Sequence, residues 1–517
     1  MSGALSDSGP APCAMPAGPV PGTTQLLAAP RFAALGAPYV QPVQAELLPH
    51  AQLLYANTSL AGEIGLNPAW LGSPDALPLL AGNADWPGQS ASASVYAGHQ
   101  FGAWVSQLGD GRVLTLAEWQ TPDASPVELQ LKGAGPTPYA RGSDGRATLR
   151  SSVRELLACE ALHALGVPTT RALSLVASRL VVQRDELETA AVLSRTAPCF
   201  VRFGHFEFHA HHGTPAQLAL LADHVIAHHF PYLTSHPQRH AAWLGEVIEL
   251  TTALFAQWQT LGFCHGVLNT DNLSVLGLTL DYGPFGFMER FRPHHVCNAS
   301  DTEGRYAYKA QPAIGRWNCE RLLNACASLL APQPEAAAEQ AQTLLARYDE
   351  IYHQEVMRRW RAKLGLRSAQ DGDAALLNRW LTLLQRAKAD FTLSFRRLAD
   401  VLEADPAESA ESGEPLLDLP PAQQAALAQW LDDWRARLVS EGGSPAERAA
   451  AMRRVNPLYV LRNHLAQAAI EDAQRGSSAE LNRLLAVLTR PFDAQPGAEH
   501  YAQPQALGQA LEIGCSA

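Results

Sequence analysis

A run of polar residues near the middle of the chain constrains its fold and chemistry more than any other feature. Residues 265–272 read HGVLNTDN, and a DYG triplet begins at Asp281, nine residues after Asn272. The pattern of residues 263–289 predicts a loop, a strand, a turn, a second strand and a loop. An amide and a carboxylate fixed at strand ends are oxygen ligands of the kind that Mg²⁺ prefers. The spacing therefore predicts a site for the metal-bound phosphates of a nucleotide.

The same run matches the catalytic loop of protein kinases, which reads H-R-D-L-x-x-x-N before a later D-F-G. On that pattern His265 takes the His position, while Asn272 and Asp281 take the two metal-binding positions. Val267 replaces the Asp that orients the attacking hydroxyl in kinases, and a valine can neither accept a proton nor bind a metal. Asp271 is the available substitute base. We therefore do not expect an ordinary phosphotransferase.

A single lysine stands out upstream. The chain contains only four lysines, and Lys132 is the only one in the first 300 residues. It ends a β-patterned run, LQLKG, as the strand lysine of kinases does. That lysine pairs with a carboxylate on the next helix, for which Glu155 and Glu160 both qualify. We prefer Glu155 and leave Glu160 open.

Glycine and arginine residues predict the rest of a phosphate site. The run GDGR at 109–112 precedes a predicted strand, and its two glycines allow the backbone to approach phosphates closely. Arg112 adds a guanidinium that a kinase glycine loop lacks. Arg195 and Arg202 stand among apolar residues, and a buried arginine needs an anion. We expect both of them to contact a triphosphate.

Hydrophobic patterning predicts an α+β fold. Residues 111–119 and 127–132 alternate apolar and polar side chains and predict an antiparallel hairpin. Residues 147–165 predict a helix that Gly166 ends. Residues 241–261 predict a long amphipathic helix, and the chain beyond them is mostly helical. A small β-rich lobe before a larger helical lobe is the arrangement of protein-kinase-like bilobal folds.

Composition excludes several classes of protein. The 39 basic and 50 acidic residues give a net charge of −11, which argues against nucleic-acid binding. No apolar run approaches the roughly 20 residues of a membrane helix, so we expect no membrane association. The eight cysteines are scattered, and the first 30 residues hold no Lys or Arg, so neither a disulfide scaffold nor a targeting signal is predicted. We expect a cytoplasmic bacterial protein that is a monomer.

Longer motifs resemble one known family. The runs YAGHQFGAW, QLGDGR, LKGAGPTPYARGSDGRATLRSSVRELL, APCFVRFGHFE, CHGVLNTDN, LDYGPFGFME and SDTEGRYAYKAQP closely resemble the selenoprotein O family. The resemblance is dense over residues 39–317. It implies a kinase-like fold and a protein adenylyltransferase, in which ATP lies flipped relative to kinases. The α-phosphate then meets the acceptor hydroxyl, and pyrophosphate leaves.

The resemblance also implies roles for individual residues. Asp271 is the implied proton acceptor, and Asn272 and Asp281 are the implied Mg²⁺ ligands, with Mn²⁺ as a possible substitute. The implied contacts to the nucleotide are Gly109, Gly111, Arg112, Lys132, Asp144, Gly145, Arg195, Arg202 and Asp281. The implied partners are ATP and proteins that offer Ser, Thr or Tyr hydroxyls.

Two cysteines match a redox pair of the family. In relatives the third-last residue is selenocysteine or cysteine, and Cys515 stands there in this chain. Its family partner matches Cys297 in HHVCNASD. The resemblance implies a disulfide between them, which in a reducing cytosol would be transient and regulatory.

Two other functions stay open beside AMP transfer: a nucleotide-binding pseudokinase scaffold without catalysis, and an atypical kinase that uses Asp271 as its base.

Five segments are predicted, namely a flexible leader (1–38), an N-terminal extension (39–90), a kinase-like N-lobe (91–205), a kinase-like C-lobe with the catalytic and metal loops (206–330), and a helical C-terminal region with the redox tail (331–517).

Overall fold

The fold is α+β, as the hydrophobic pattern predicts. A computed structural model of the chain describes residues 26–403, 416–505 and 514. The strands are β1 (Val40–Pro42), β2 (Gln52–Ala56), β3 (Ser92–Gln100), β4 (Ala103–Gly109), β5 (Val113–Gln120), β6 (Pro126–Lys132), β7 (Ala147–Thr148), β8 (Arg171–Gln183), β9 (Leu187–Ala197), β10 (Phe263–Cys264) and β11 (Gly286–Phe287).

Helices make up most of the rest. Those in the first half are α1 (Thr58–Glu63), α2 (Pro68–Leu71), α3 (Leu77–Leu80), α4 (Leu149–Ala164), α5 (Phe203–His212), α6 (Pro215–His229) and α7 (Arg239–Leu261). Those in the second half are α8 (Gln311–Ala325), α9 (Ala327–Leu330), α10 (Pro334–Lys363), α11 (Asp373–Ala387), α12 (Phe391–Glu403), α13 (Pro421–Val439), α14 (Pro445–Arg453), α15 (Asn463–Gln474), α16 (Ala479–Leu488) and α17 (Glu499–Ala502).

One antiparallel sheet carries the site. Its strand order is β1-β3-β5-β6-β9-β8-β2, with β4 paired to β3 and β7 paired to β9. The predicted hairpin is confirmed, because β5 and β6 pair antiparallel from Val113 opposite Lys132 to Gln120 opposite Pro126. Leu114, Leu129 and Leu131 are fully covered on one face of these strands, and polar side chains on the other face, such as Glu128 and Gln130, are buried as well.

Helix α4 packs against this sheet. The Thr148 side chain caps its first turn, and Gly166, just beyond its end, has a φ of 75° that favours glycine. Val153, Leu156 and Leu157 are fully buried, and burial of each such side chain stabilises the fold by about 1.5–3 kcal/mol. This packing fixes the side of α4 that faces the site.

Helix α7 leads into the polar run. It ends at Gly262, which adopts the left-handed conformation with a φ of 71°. Trp243, Phe255 and Trp258 anchor α7 in the main core. A second core lies between helices of the C-terminal part, around Trp380 and Trp430. Within the described ranges, no helix combines the length and the apolar character needed to cross a lipid bilayer.

Two segments differ from the prediction. Of the predicted segment 263–289, only its two ends pair, as β10 and β11. Residues 265–284 form loops and a 3₁₀ turn, with isolated bridges such as Ser274 with Arg202. Part of the predicted leader, residues 26–38, packs on the sheet, where Leu27 N donates to Glu118 O and Phe32 is buried. The other segment boundaries stay predictions.

Candidate active site

A cleft of about 630 Å³ lies between the sheet and the 265–284 segment. Its lining brings together residues that are far apart in the sequence. Of the predicted site residues, those that line it are Gly109, Gly111, Arg112, Lys132, Asp144, Arg202, Asp271, Asn272 and Asp281. Gly145, Glu155 and Arg195 are buried outside this lining.

A cluster of buried ion pairs forms the inner wall of the cleft. Asp281 Oδ1 lies 2.6 Å from Arg195 Nη1 and 3.4 Å from Lys132 Nζ, and Asp281 Oδ2 contacts Arg202 Nη1. Glu155 is bound by Lys132 at 2.6 Å and by Arg195 at 3.0 Å. Arg202 Nη2 also lies 4.0 Å from Asp110 Oδ1, so three cations meet three carboxylates in this cluster.

Asp281 is held ionised in an uncommon backbone conformation. Its φ is 57°, in the left-handed region that non-glycine residues seldom adopt. Burial opposes its ionisation, but Arg202, Arg195 and Lys132 together hold the pKa of Asp281 well below its usual range. The carboxylate therefore carries its charge throughout the physiological pH range.

Asp271 has the opposite electrostatic environment. It lies in a 3₁₀ turn, Thr270–Asn272, and its side chain is buried. Oδ2 accepts a hydrogen bond from Gln100 Nε2 at 3.2 Å, whereas Oδ1 has no hydrogen-bond partner. Burial raises the pKa of Asp271 to about 7. A carboxylate that titrates near neutral pH is suited to accept and release a proton.

The side-chain amide of Asn272 offers an oxygen of the kind that binds Mg²⁺. Its Nδ2 donates to the Val267 carbonyl at 3.0 Å, which turns the amide oxygen away from that carbonyl. Within the described part of the chain, no group of three or more His, Cys, Asp or Glu side chains is arranged to hold a metal. Mg²⁺ at nucleotide sites, however, takes one or two protein oxygens and completes its shell with phosphates and water. Asn272 and Asp281 each offer a side-chain oxygen of this kind, and both line the cleft.

Close packing explains why glycine stands at both positions of the predicted phosphate loop. A Cβ at Gly109 would lie 2.4 Å from the Tyr139 ring, and one at Gly111 would lie 2.9 Å from the Tyr139 carbonyl oxygen. Between them, Asp110 is buried and accepts hydrogen bonds from the backbone and the hydroxyl of Ser94. The loop is therefore pinned against residue 139 at the edge of the cleft.

Charged side chains line the outer part of the cleft. Asp144 forms a two-pronged ion pair with Arg184, in which Nη2 and Oδ1 are 2.8 Å apart. The Arg184 hydrogen bond lowers the pKa of Asp144. Arg112 is exposed at the lining and is positioned to meet an anion. Gly145 packs behind Asp144, where an added Cβ would lie 2.1 Å from Pro136 N.

Sequence reasoning missed several lining residues. Gln100, Asp110, Tyr139 and Arg184 all line the cleft. Gln100 lies in the YAGHQFGAW motif and Asp110 lies in GDGR, so the motifs contained a signal for both. Arg184 lies in the connection between two strands and carries no comparable signal.

The predicted redox pair is only partly described. Cys297 is a partly exposed free thiol whose Sγ lies 3.5 Å from the Cys264 carbonyl oxygen. Cys515 lies outside the described residues. The disulfide therefore stays a prediction.

Comparison with known proteins agrees with this geometry. A family model described as "Protein adenylyltransferase SelO" matches residues 23–489. The chain belongs to this family. The resemblance predicted from the sequence is thereby confirmed, as is the prediction of a nucleotidyltransferase enzyme.

Relatives match over nearly their whole length. A protein named "Protein nucleotidyltransferase YdiU" from Methylococcus capsulatus is 57% identical over 500 residues, covering 96% of this chain and 98% of the relative. Proteins of the same name from Burkholderia pseudomallei and Ralstonia nicotianae are each 48% identical. They cover 97% and 95% of this chain, and 98% and 95% of their own length.

Proposed function

We propose that this protein transfers AMP from ATP to Ser, Thr or Tyr hydroxyls of other proteins and releases pyrophosphate. One observation carries the proposal: Asp271, with a pKa of about 7 and an unbonded Oδ1, lies in the same cleft as the cation cluster around Asp281. A base that titrates near neutral pH beside a cluster of three cations suits proton removal from a hydroxyl that attacks a phosphate.

The cleft suits ATP in size and charge. Small-molecule sites usually enclose about 300–1,000 Å³, and this cleft encloses about 630 Å³. Lys132, Arg202 and Arg112 line it and would contact the phosphates. Arg195 is fully buried, so we assign it to holding Glu155 and Asp281 rather than to the front of the site.

Asn272 and Asp281 would hold Mg²⁺, or Mn²⁺ in its place. The metal, when bound, would neutralise phosphate charge beside the reacting phosphorus. Phosphates in the cleft would offer Lys132 and Arg202 a further anion, so that the Asp281 carboxylate could share its charge with the metal.

The reaction balances with residues that line the cleft. The acceptor oxygen forms a bond to the α-phosphorus while the bond from that phosphorus to the pyrophosphate oxygen breaks. The hydroxyl proton passes to Asp271, whose unbonded Oδ1 is the open acceptor. Lys132 and Arg202 stabilise the charge that develops on the phosphates. Triphosphate lying flipped relative to kinases would place the α-phosphate, and not the γ-phosphate, next to Asp271.

The finer architecture belongs to the same proposal. We infer a kinase-like bilobal fold, with the sheet as the smaller lobe and the helices after Arg202 as the larger, because the cleft lies between them. From the sequence we also infer a monomer in the cytoplasm that binds neither nucleic acid nor a membrane. Membership of this family favours neither a kinase nor an inactive scaffold.

Labelled ATP tests the proposal. The full-length protein is incubated with Mg²⁺, a mixture of unfolded acceptor proteins, and ATP labelled at either the α- or the γ-phosphate. We expect protein-bound label from the α position alone. Asp271→Asn should lose this label, whereas Asp349→Asn, a surface control on helix α10, should keep it. Label from the γ position alone would indicate a kinase, and no label from either would leave only nucleotide binding.

A further inference from the structure

The hairpin of strands β3 and β4 reaches from the sheet to the catalytic residues. The strands pair up to Gln100 opposite Ala103. The turn between them consists of Phe101 and Gly102, with φ values of 51° and 84°, the left-handed values of a tight two-residue hairpin turn. This hairpin carries the whole YAGHQFGAW motif, of which Tyr96, Gln100 and Phe101 line the cleft while Trp104 does not.

The inner side of the turn is bonded to the 3₁₀ turn that carries the base. His99 N donates to Thr270 Oγ1 at 2.7 Å, and Phe101 N donates to Asn269 Oδ1 at 3.0 Å. Gln100 Nε2 donates to Asp271 Oδ2 at 3.2 Å. The hairpin turn is therefore fixed relative to the group that must receive the acceptor proton.

The outer side of the hairpin exposes aromatic rings. Phe101 is 41% exposed and Trp104 is 37% exposed, high values for such large apolar side chains. Trp104 packs against His99 with ring centroids 5.1 Å apart, and His99 packs edge-on against Trp317 at 5.3 Å. Beside them opens a shallow cavity of about 360 Å³, which Trp104 and His99 help to line.

Two arginines give this surface its charge. The guanidinium groups of Arg305 and Arg321 lie 4.8 Å and 5.1 Å from the centroid of the Trp317 ring. Arg321 pairs with Glu320 at 2.8 Å, whereas Arg305 makes no ion pair with any residue in the described ranges; the Nε atoms of both arginines have no hydrogen-bond partner. The carboxylate of Glu207, which lines the same cavity, is buried and bound by His99.

We propose that this aromatic–basic surface, made of Phe101, Trp104, Arg305, Trp317 and Arg321, binds an extended acceptor segment of a protein substrate that carries acidic and aromatic residues beside its hydroxyl. The inference rests on the proposed function. The acceptor hydroxyl must come within hydrogen-bonding distance of Asp271, so its flanking residues must pass over a neighbouring surface. The hairpin turn is bonded to Asp271 through Gln100, and an acidic side chain would give Arg305 its missing partner.

Aromatic rings with arginines also suit single-stranded nucleic acid. The net charge of −11 opposes a polyanion approaching the chain as a whole, whereas a short acidic segment needs only the local surface. We therefore favour a protein segment and make the nucleic acid an outcome of the test.

The test measures binding directly by fluorescence anisotropy, so that it does not depend on AMP transfer. Three labelled peptides with one central serine are compared on the full-length protein: one flanked by Glu and Phe, one flanked by Lys and Phe, and one flanked by Glu and Gly. We expect the Glu–Phe peptide to bind about tenfold tighter than either of the others, since one charged or aromatic contact is worth about 1.4 kcal/mol.

Variants then locate the binding. Arg305→Glu should reverse the preference in favour of the Lys–Phe peptide, and Trp104→Ala should weaken the Glu–Phe peptide about tenfold. Arg435→Glu on helix α13 and the exposed Tyr232→Ala are the matched controls and should change neither. ATP affinity and the melting temperature should stay unchanged in all four variants, which shows that they fold.

Equal affinity for the three peptides, no binding of any of them, an unaltered preference in Arg305→Glu, or tighter binding of a poly-dT oligonucleotide would each overturn the inference. A preference that persists while no α-label is transferred would instead reject the proposed function and leave the docking surface standing.

Discussion

Lys132 and Glu155 form a buried ion pair in which Nζ and Oε2 are 2.6 Å apart. The lysine ends strand β6 and the glutamate lies on helix α4, so the pair fixes the helix to the sheet behind the cleft. The same ammonium lies 3.4 Å from Asp281, which connects both elements to the predicted metal ligand. The other candidate, Glu160, is bound by Arg171 at 2.8 Å instead.

Because Glu155 and Glu160 have different basic partners, their substitution should have different effects. Glu155→Gln removes the carboxylate shared by Lys132 and Arg195 and should lower the free energy of unfolding by about 3 kcal/mol. It should also lower turnover about tenfold or more, because Lys132 loses its fixed position in the cleft. Glu160→Gln is the matched control: it breaks a buried pair with Arg171, so it should lower stability without lowering turnover. Thermal unfolding and AMP-transfer rates measure both, and equal loss of turnover would contradict the assignment.

The two aspartates should separate nucleotide binding from catalysis. Asp281→Ala removes the charged oxygen of the predicted metal pair and leaves Arg195, Arg202 and Lys132 without their shared anion, so Mg²⁺-dependent ATP binding should be lost. Asp271→Ala should leave the Kd for ATP within about twofold and reduce kcat at least about a hundredfold, as expected of a base that contacts only the acceptor. Calorimetric titration with ATP and Mg²⁺ distinguishes them. Equal loss of binding in both variants would show that the roles are misassigned.

Much of this site could be predicted from the sequence because the chemistry requires particular residue types at short spacings. Asp271, Asn272 and Asp281 lie within eleven residues of one another, and Lys132 ends a strand with a readable pattern. Arg195 shows the limit of such reasoning. Its apolar neighbours predict burial and an anionic partner. It is buried and bound by the carboxylates of Glu155 and Asp281, and its contact with a phosphate stays a prediction.

Long-range contacts explain what the sequence could not show. Gln100 reaches Asp271 only because strand β3 extends past the sheet, and Arg184 meets Asp144 only because the β8–β9 connection folds over the cleft. Within the 263–289 segment, the pattern predicts two strands, but only β10 and β11 at its two ends pair. The bridges of residues 274 and 279 with Arg202 and Thr169 are too short to form a ladder.

The pH dependence should report Asp271. Burial raises its pKa to about 7, so the carboxyl is mostly protonated at pH 6 and mostly ionised at pH 8. Turnover at saturating ATP should therefore rise about tenfold between these pH values, because only the ionised form accepts a proton. A profile that is flat from pH 6 to 8 in the wild type would exclude Asp271 as the base.

The same raised pKa has a consequence for stability. A carboxyl whose pKa is higher in the folded state than in the unfolded state favours folding at low pH, and this contribution is lost as the pH rises through about 7. Asp271→Asn removes the cost of burying the ionised group. The variant should therefore melt at a higher temperature than the wild type at pH 8, with a smaller difference at pH 5. Scanning calorimetry at the two pH values measures this, and a lower melting temperature at pH 8 would show that the buried charge is compensated.

Gly98 tests how closely the position of Asp271 is set. A Cβ at Gly98 would lie 2.7 Å from Asp271 Oδ1 and 3.1 Å from Thr270 Oγ1, and Gly98 does not have the left-handed φ that favours glycine. Gly98→Ala therefore adds bulk without backbone strain, and it adds that bulk against the oxygen assigned to receive the proton. A displacement near 1 Å should reduce kcat by about a hundredfold while the Kd for ATP changes little, because the nucleotide phosphates contact other side chains. Gly72→Ala, where an added Cβ meets nothing within 4 Å, is the control and should leave kcat unchanged. If Gly98→Ala kept full turnover, Oδ1 would not be the proton acceptor, and Oδ2, which Gln100 already binds, would have to take that role.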